Sequence, residues 1–403
     1  MERGGQTVVG ILAGGGTLPR EIADVLWAEG QNPVIVGLEG EADPKDFAGH
    51  DFTPVNWGRI GQLIRTFKRK GVTDLVIVGR VTRPDLKAIR TDFGFWWNLP
   101  RIFKIIAAGG DDSVLRRVVG FFEEHGFRVR GPGDVAPVLV IGEGAYGRTA
   151  MAGSAQRDFE TGREIVGRLA PFDIGQAVAV ANGAVLAIEG AEGTDAMLMR
   201  VAGARGGQRG GLLVKWPKPG QELRVDMPAI GPHTIASVAA AGLDGIVVQA
   251  GATLAAARQD MIDAADRQSV FIEGLRSASD RIEKTTLADD GAIGLAVLAQ
   301  LRPVLDSRGA VVVRRHVLAL ETGEGLAALI GRAAGLRQWG RDGKRRGALA
   351  VASCGDLDAG SVQAAAAAGY ESIVAADDAG PSGAVQAAIR AAGLRLDLRR
   401  PGG

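Results

Sequence analysis

A chain of 403 residues, 46% of them hydrophobic, is long enough for two or three domains with true cores. Its net charge of +1 gives no reason to expect nucleic acid as a partner, and its one cysteine, Cys354, excludes a disulfide framework and points to a reducing compartment. With four histidines, none near a cysteine, a Cys/His zinc site is not expected, and no stretch is long and uncharged enough to span a bilayer, so a soluble cytoplasmic protein follows.

In chain order, "TVVGILAGGGTLPREIADVLWAEG" predicts a strand, a glycine loop and a helix. "PVIVGL" is a second strand, "GRIGQLIRTFKRKG" an amphipathic helix and "DLVIVGRV" a third strand. Continuous apolar runs alternating with helices suit a parallel sheet covered on both faces, so residues 1–135 form an N-terminal Rossmann-like α/β domain. "FGFWWNLPRIFKIIAAGG" has two readings. It is a helix on the core, or it is an apolar surface for acyl chains or a membrane interface, carried by Trp96, Trp97 and Phe103 with Arg101 and Lys104 facing headgroups. Residues 136–172 are polar and are expected as a linker in which one more helix starts. Residues 173–275 form a second α/β domain: "AVAVANGAVLAIE" is a hairpin, "TDAMLMRVAGA" a helix and "GLLVKW" a strand, and "TIASVAAAGLDGIVVQAG" adds a helix and a strand.

Residues 276–403 are expected as a degenerate copy of that second domain. "VLAIEGAEGTDAMLMRVAG" from Val185 matches "VLALETGEGLAALIGRAAG" from Val317 without a gap. Glu189, Glu192 and Gly193 recur as Glu321, Glu324 and Gly325, whereas Asp195 becomes Ala327, Lys215 becomes Ala352 and Lys218 becomes Gly355. The segment holding Arg224 and Asp226 has no counterpart. A copy keeps what shapes the backbone and can lose what only does chemistry, so these residues read as active-site equipment. Lys215 and Lys218 on a proline-stiffened loop suit phosphate oxygens. Asp195 and Asp226 suit a hard cation such as magnesium or a general base for water. The plainer alternative is a solvated lysine edge with Asp226 capping a turn.

Three further elements suit a phosphate ligand. Gly14, Gly15 and Gly16 lie between a strand and a helix, where backbone amides meet anions, although the Walker lysine and the full dinucleotide fingerprint are missing. Arg80 and Arg83 follow a strand end in "GRVTRP". Asp111 and Asp112 open a helix in "GGDDSVL", where one of them is at least an N-cap.

The motifs "AGGGTLP", "GRVTRPDL", "GGDDSVLRRV", "DIGQAV", "EGTDAM", "KWPKPGQELRVDMPAIGP" and "AGLDGIVVQAG", in this order over about residues 6–274, resemble the UDP-2,3-diacylglucosamine pyrophosphatases of the LpxI type. The resemblance implies a cytoplasmic Gram-negative enzyme of lipid A synthesis, with two α/β domains and the ligand between them. It implies that water splits the pyrophosphate of UDP-2,3-diacylglucosamine with magnesium, giving UMP and 2,3-diacylglucosamine 1-phosphate (lipid X). Asp226 is then the main catalytic candidate with Asp195, both also as metal ligands. Gly14, Gly15, Gly16, Arg83, Asp112, Gln176, Thr194, Lys215, Lys218 and Arg224 would bind substrate. No nucleic acid is implied; peripheral contact with the inner membrane and a homodimer stay open. The rival readings are a hydrolase of another nucleotide sugar and a non-catalytic member that binds lipid X or acts as a scaffold.

Overall fold

The computed structural model describes residues 7–81, 91–92, 111–218, 220–276, 287, 289–336 and 346–399. The chain divides into two compact units. One comprises Met1–Glu143, Gln221–His233 and Gln249–Ala264, the other Gly144–Gly220, Thr234–Val248 and Ala265–Gly403.

The first unit begins with β1 (Val9–Ala13), α1 (Leu18–Ala28), β2 (Val34–Leu38), β3 (Asp51–Val55), α2 (Ile60–Arg69), β4 (Asp74–Val78), α3 (Asp111–Glu124), β5 (Arg128–Arg130) and α4 (Pro132–Val135). Its strands form a parallel sheet in the order β3-β2-β1-β4-β5. β1 and β2 are buried along their whole length, as their apolar runs require. Alternate residues serve opposite faces: Leu12, Val34, Val36 and Leu75 join one core with Phe67 and Phe122. Ile11, Ile35 and Val76 join the other with Ile22 and Leu26. The strand expected as the third is the fourth. The one passed over, "DFTPV", is a largely exposed edge strand holding Pro54, which a ladder tolerates only at its margin. The chain runs outward from β1 through β2 to β3 and returns to β4 on the other side, so the sheet reverses direction between β1 and β4.

The rest of the chain forms β6 (Gly144–Tyr146), α5 (Ala155–Leu169), β7 (Ala177–Ala181), β8 (Ala184–Ile188), α6 (Thr194–Arg205), β9 (Leu212–Lys215), β10 (Ala229–Ile230), α7 (Pro232–Ala240), β11 (Gly245–Gln249), β12 (Leu254–Ala255), α8 (Arg258–Gln268) and β13 (Phe271–Leu275). Then come α9 (Asp290–Leu301), β14 (Gly309–Val313), β15 (His316–Leu320), α10 (Leu326–Leu336), β16 (Ala348–Val351), α11 (Ala359–Ala367), β17 (Ser372–Ala375), α12 (Gly383–Ala392) and β18 (Arg395–Leu398). The stretch expected as a linker therefore carries β6, which pairs with β13, and the whole of α5, which packs in the core of the second unit.

Two later stretches belong to the first unit rather than to their sequence neighbours. Val225 packs against the core that holds Phe67, and Met227 and Ala229 against the core that holds Ile22. β10 pairs with β12, the Thr253 carbonyl accepts from Ile141 N at 2.8 Å, and both Glu21 oxygens accept from Ala257 N.

The second unit contains the repeat. One sheet runs β6-β13-β11-β9-β7-β8 and the other β18-β17-β16-β14-β15, so the tail repeats the order from β13 to β8. Each copy opens with an antiparallel hairpin whose register shifts at the same place, between Ala179 and Val180 and between Val311 and Val312. In each, an aspartate on the preceding helix caps the turn. Asp158 accepts from Asn182 N and Gly183 N at 3.0 and 2.6 Å, and Asp290 accepts from Arg314 N and Arg315 N at 3.0 and 2.6 Å. A Cβ on Gly162 of α5 would strike Val214 and Val180; on Gly294 of α9 it would strike Ala350 and Val312. The duplicated unit thus starts with the helix before the hairpin.

The ladders also correct one pairing. Lys215 lies opposite Ala177, and Val351 lies opposite Gly309, the counterpart of Ala177. Trp216 N donates to Gln176 O as Ala352 N donates to Arg308 O. The counterpart of Lys215 is therefore the buried Val351, and Ala352 corresponds to Trp216. A sequence match of alanine-rich strands slips by one residue at no cost in similarity; a ladder does not, because the slip turns every side chain to the other face.

Candidate active site

In the first unit the glycine loop sits where the sheet reverses, the place at which open α/β sheets take ligands. Gly14 N donates to Val78 O at 2.9 Å, and Gly15 forms a two-way bridge with Arg80 at 2.7 and 2.8 Å. Two of the three glycine amides are thus committed to backbone, and Gly14 is a glycine because its Cα faces the Arg80 carbonyl without room for a Cβ. Gly16, at φ +95°, has open space around it. Thr17 makes no side-chain cap at the start of α1, and the N-terminal turn of a helix favours an anion. Arg80 is exposed. Asp112 lies in the first turn of α3. Arg83, Trp96, Trp97 and Phe103 lie outside the described residues.

Asp226 closes a tight turn in the same unit. Gln221 Nε2 donates to its Oδ2 at 2.6 Å and to its carbonyl at 2.8 Å, and Asp226 N donates to Glu222 O. Arg224 is engaged along its whole fork. Nε and Nη2 reach the two Glu222 oxygens at 2.8 Å each, and Nη1 reaches Glu123 of α3 at 2.9 Å. The guanidinium holds the Glu222 carboxyl below its usual range, and Glu222 raises the pKa of Arg224 in turn. Its contacts make Arg224 the residue that pins this turn to α3.

In the second unit the strand ends gather another set. Lys215 is the buried last residue of β9, and Lys218 follows in the loop. Lys218 Nζ lies 2.6 Å from Asp173 Oδ1 and 3.2 Å from the Asp173 carbonyl. Gln176 holds the start of the lysine loop through the Trp216 amide. Thr194 begins α6, and its Oγ1 donates to Glu189 Oε1 at 2.9 Å. Glu189 is buried; burial raises its pKa, and Lys215 opposes this most strongly, followed by the Thr194 hydrogen bond. Its Oε2 has no hydrogen-bond partner among the described residues. Asp195 is exposed beside Thr194 on the first turn of α6.

Sequence reasoning treated Glu189 as frame because the tail retains it as Glu321. The two are wired differently. Glu321 Oε1 accepts from Gly323 N at 2.7 Å and Gly325 N at 3.0 Å, and Oε2 accepts from Arg308 N at 3.1 Å, so it caps its own loop. Glu189 instead faces the Thr194 hydroxyl and the lysines. Asp173, Gln221 and Glu123 were also missed. Asp173 and Glu123 act by holding motif residues distant in sequence, and Gln221 by bonding Asp226 across their shared turn, which no spacing signals.

Among the predicted residues, the structure brings Thr194, Lys215 and Lys218 together, with Glu189 and Asp173 added. It places Asp226 and Arg224 in the first unit with the glycine loop. No group of three or more His, Cys, Asp or Glu side chains suited to a metal occurs among the described residues. No described helix is long and apolar enough to cross a membrane.

Phosphate-suited backbone at the reversal of one sheet, and lysines at the strand ends of another, define a two-unit α/β protein suited to an anionic ligand. Residues 8–139 match the LpxI N-terminal domain and residues 142–273 the LpxI C-terminal domain, and the chain belongs to the LpxI family. It is similar to the UDP-2,3-diacylglucosamine pyrophosphatase LpxI of Caulobacter vibrioides, with 38% identity over 275 residues, 66% of this chain and 97% of that relative. The family supports an LpxI-type hydrolase, and the tail beyond residue 273 lies outside both domain matches.

Proposed function

We propose that this protein hydrolyses the pyrophosphate bond of UDP-2,3-diacylglucosamine, releasing UMP and 2,3-diacylglucosamine 1-phosphate. The observation that carries the reading is the comparison of the two copies. They share strand order, hairpin, caps and close glycine contacts, yet only the copy inside the LpxI match has Lys215, Lys218 and a Glu189 turned toward them. Folding does not require that set; a polyanionic substrate does. Lys215 and Lys218 supply charge-assisted bonds to phosphate oxygens, with Thr194 and Gln176 alongside. In this reading Lys218 exchanges Asp173 for a phosphate. Asp226, oriented by Gln221, is the general base for water or a metal ligand in the first unit, and Asp195 is the carboxylate candidate of the second unit. The amides of Gly16 and of the first turn of α1 serve the anion in the first unit, and Arg224 keeps the Asp226 turn in place.

Magnesium fits this donor set in one form. The described residues offer no preformed cage, but magnesium commonly binds through one or two carboxylates plus substrate phosphates, and Asp226 in the first unit is a carboxylate of that kind. Bound with the substrate, the ion would neutralise phosphate charge and polarise the bond to be broken. Turnover of UDP-2,3-diacylglucosamine, beside UDP-N-acetylglucosamine and with and without magnesium, tests the proposal. Release of UMP from the acylated substrate is expected. Binding without turnover, or cleavage of the non-acylated sugar alone, would replace this reading with a scaffold or a different hydrolase.

A further inference from the structure

The two copies in the second unit touch each other in a reciprocal pattern. Gly190 and Thr322 are counterparts at the offset set by Val185 and Val317, as are Leu186 and Leu318. Gly190 lies against the Leu318 carbonyl with no room for a Cβ, and the next amide, Ala191 N, donates to that carbonyl at 2.9 Å. In return, Thr322 Oγ1 lies 3.5 Å from the Leu186 carbonyl. Arg168 and Gln300 are counterparts as well, and they meet one another: Arg168 Nη1 donates to Gln300 O at 3.3 Å. Helices α5 and α9 share one core, with Ile165, Val166 and Leu169 beside their counterparts Val297, Leu298 and Leu301. At the edge, Glu192 sits between Arg200, at 3.0 Å, and the counterpart of that arginine, Arg332, at 3.2 Å.

A contact whose mirror image joins the two counterparts is the mark of an isologous, two-fold interface. A residue that meets its own counterpart lies on the axis. A tail that merely covered an apolar face would have no reason to meet it with the same residues from both sides. We propose that the face formed by α5, β8 and the loop after β8 is a self-association face, and that the tail is a fused second copy that occupies it within the chain. The protein is thus a dimer-like pair made from one polypeptide, with an equipped half and a half kept for its interface. This explains which residues the tail retained. It kept the hairpin, the close-packed Gly294 and Arg332, which serve fold and interface, and it lost the lysines, which serve neither. The partner of the face is a second copy of the same α5–β8 surface, supplied here in cis.

The first test uses the full chain with Arg168→Cys, Gln300→Cys and Cys354→Ser and a short bismaleimide. An internal cross-link at the mass of one chain is expected. A cross-link between chains, or none, would overturn the assignment. The second test places a protease site between Arg276 and Leu287 of the full chain. After cleavage the two pieces should stay together at the original mass, and a body that sheds its tail at once and stays single would overturn the proposal. Stripping the tail with mild denaturant should leave a body that forms a defined dimer, in which Arg168→Cys on one body cross-links to Arg168→Cys on the other. The C. vibrioides relative, matched over 97% of its length by 275 residues, shows that such a length is a natural one. A single or aggregated body counts against the proposal. To avoid dependence on the stripped body, Val297→Asp in the full chain should weaken the hold of α9 and double the native mass at micromolar concentration. An unchanged mass with the tail newly open to protease would sink the idea.

Discussion

Asp226 is the residue with most at stake. Asn keeps its size and can still accept from Gln221, so the turn should survive Asp226→Asn. Loss of a general base or metal ligand should lower kcat by roughly 10²–10⁴-fold, with melting temperature and substrate affinity little changed. Near-normal turnover would remove Asp226 from the chemistry. Lys218 poses a different question, because its ion pair with Asp173 gives it a structural alternative. Lys218→Ala should lower kcat/KM by about ten- to a hundredfold, the equivalent of one charge-assisted phosphate bond. Asp173→Asn, which frees the lysine, should do far less. Equal losses in the two variants would mean that the pair, and not the phosphate, is what matters. These candidates were legible because the tail lacks their types. Glu189 was not, because identity of residue hid a difference of partner. A carboxylate that caps Gly323 and Gly325 in one copy faces Thr194 and Lys215 in the other.

Hairpins show what sequence can and cannot say about elements. "AVANGAV" announces its turn, since Asn182 and Gly183 tolerate the positive φ of 53° and 76° that a tight hairpin needs. The tail holds the same geometry with Arg314 and Arg315, at φ 52° and 67°, where an L side chain costs roughly 1–2 kcal/mol each. Only the copy reveals that turn. Asp290 offsets the strain by accepting both amides. Arg314→Asn with Arg315→Gly should therefore stabilise the protein by about 1–2 kcal/mol, read as a higher urea midpoint for the tail. No gain would mean that the Asp290 bonds already settle the turn. The edge strand β3 and the slipped match at Val351 were missed for related reasons. Proline and alanine-rich runs weaken the pattern that sequence reading depends on, and hydrogen-bond ladders are indifferent to it.

At the scale of the molecule, the α/β class, the Rossmann-like sheet and the repeat could be read from periodicity and self-similarity. The membership of residues 221–233 and 249–264 in the first unit could not, since it depends on Val225, Met227 and Glu21 finding partners far away in sequence. The repeat also starts earlier than its visible match. α5 and α9 share Asp158/Asp290, Gly162/Gly294, Leu169/Leu301 and a few similar apolar positions, and it is the packing around them that identifies the pair.

The pseudo-two-fold contact also has a pH dependence. Burial would raise the Glu324 carboxyl, but Thr322 N and Arg332 outweigh it and hold its pKa below the usual 4.5. For the exposed Asp289, which caps α9 and pairs with Arg399, partial desolvation is outweighed by those bonds, and its pKa is likewise below the usual 3.8. A carboxyl depressed by folding contributes stability that is present above its unfolded pKa and is lost as pH falls through the folded one. Burial shifts Asp290 the other way, so it opposes this loss in the same window. Asp358 and Asp377 are depressed as well, by hydrogen bonds from backbone amides and serine hydroxyls, so the expectation is that the tail is held at neutral pH and loosens below about pH 4.5. Arg332→Met isolates the Glu324 part. It leaves Glu192 and Glu324 without this partner, and breaking such a buried pair costs about 3–5 kcal/mol; Arg200 still reaches Glu192, which favours the lower end. The variant should be less stable at pH 7, and its urea midpoint should fall less steeply than wild type between pH 5 and pH 3. Parallel slopes for the two proteins would show that Glu324 does not set the acid response.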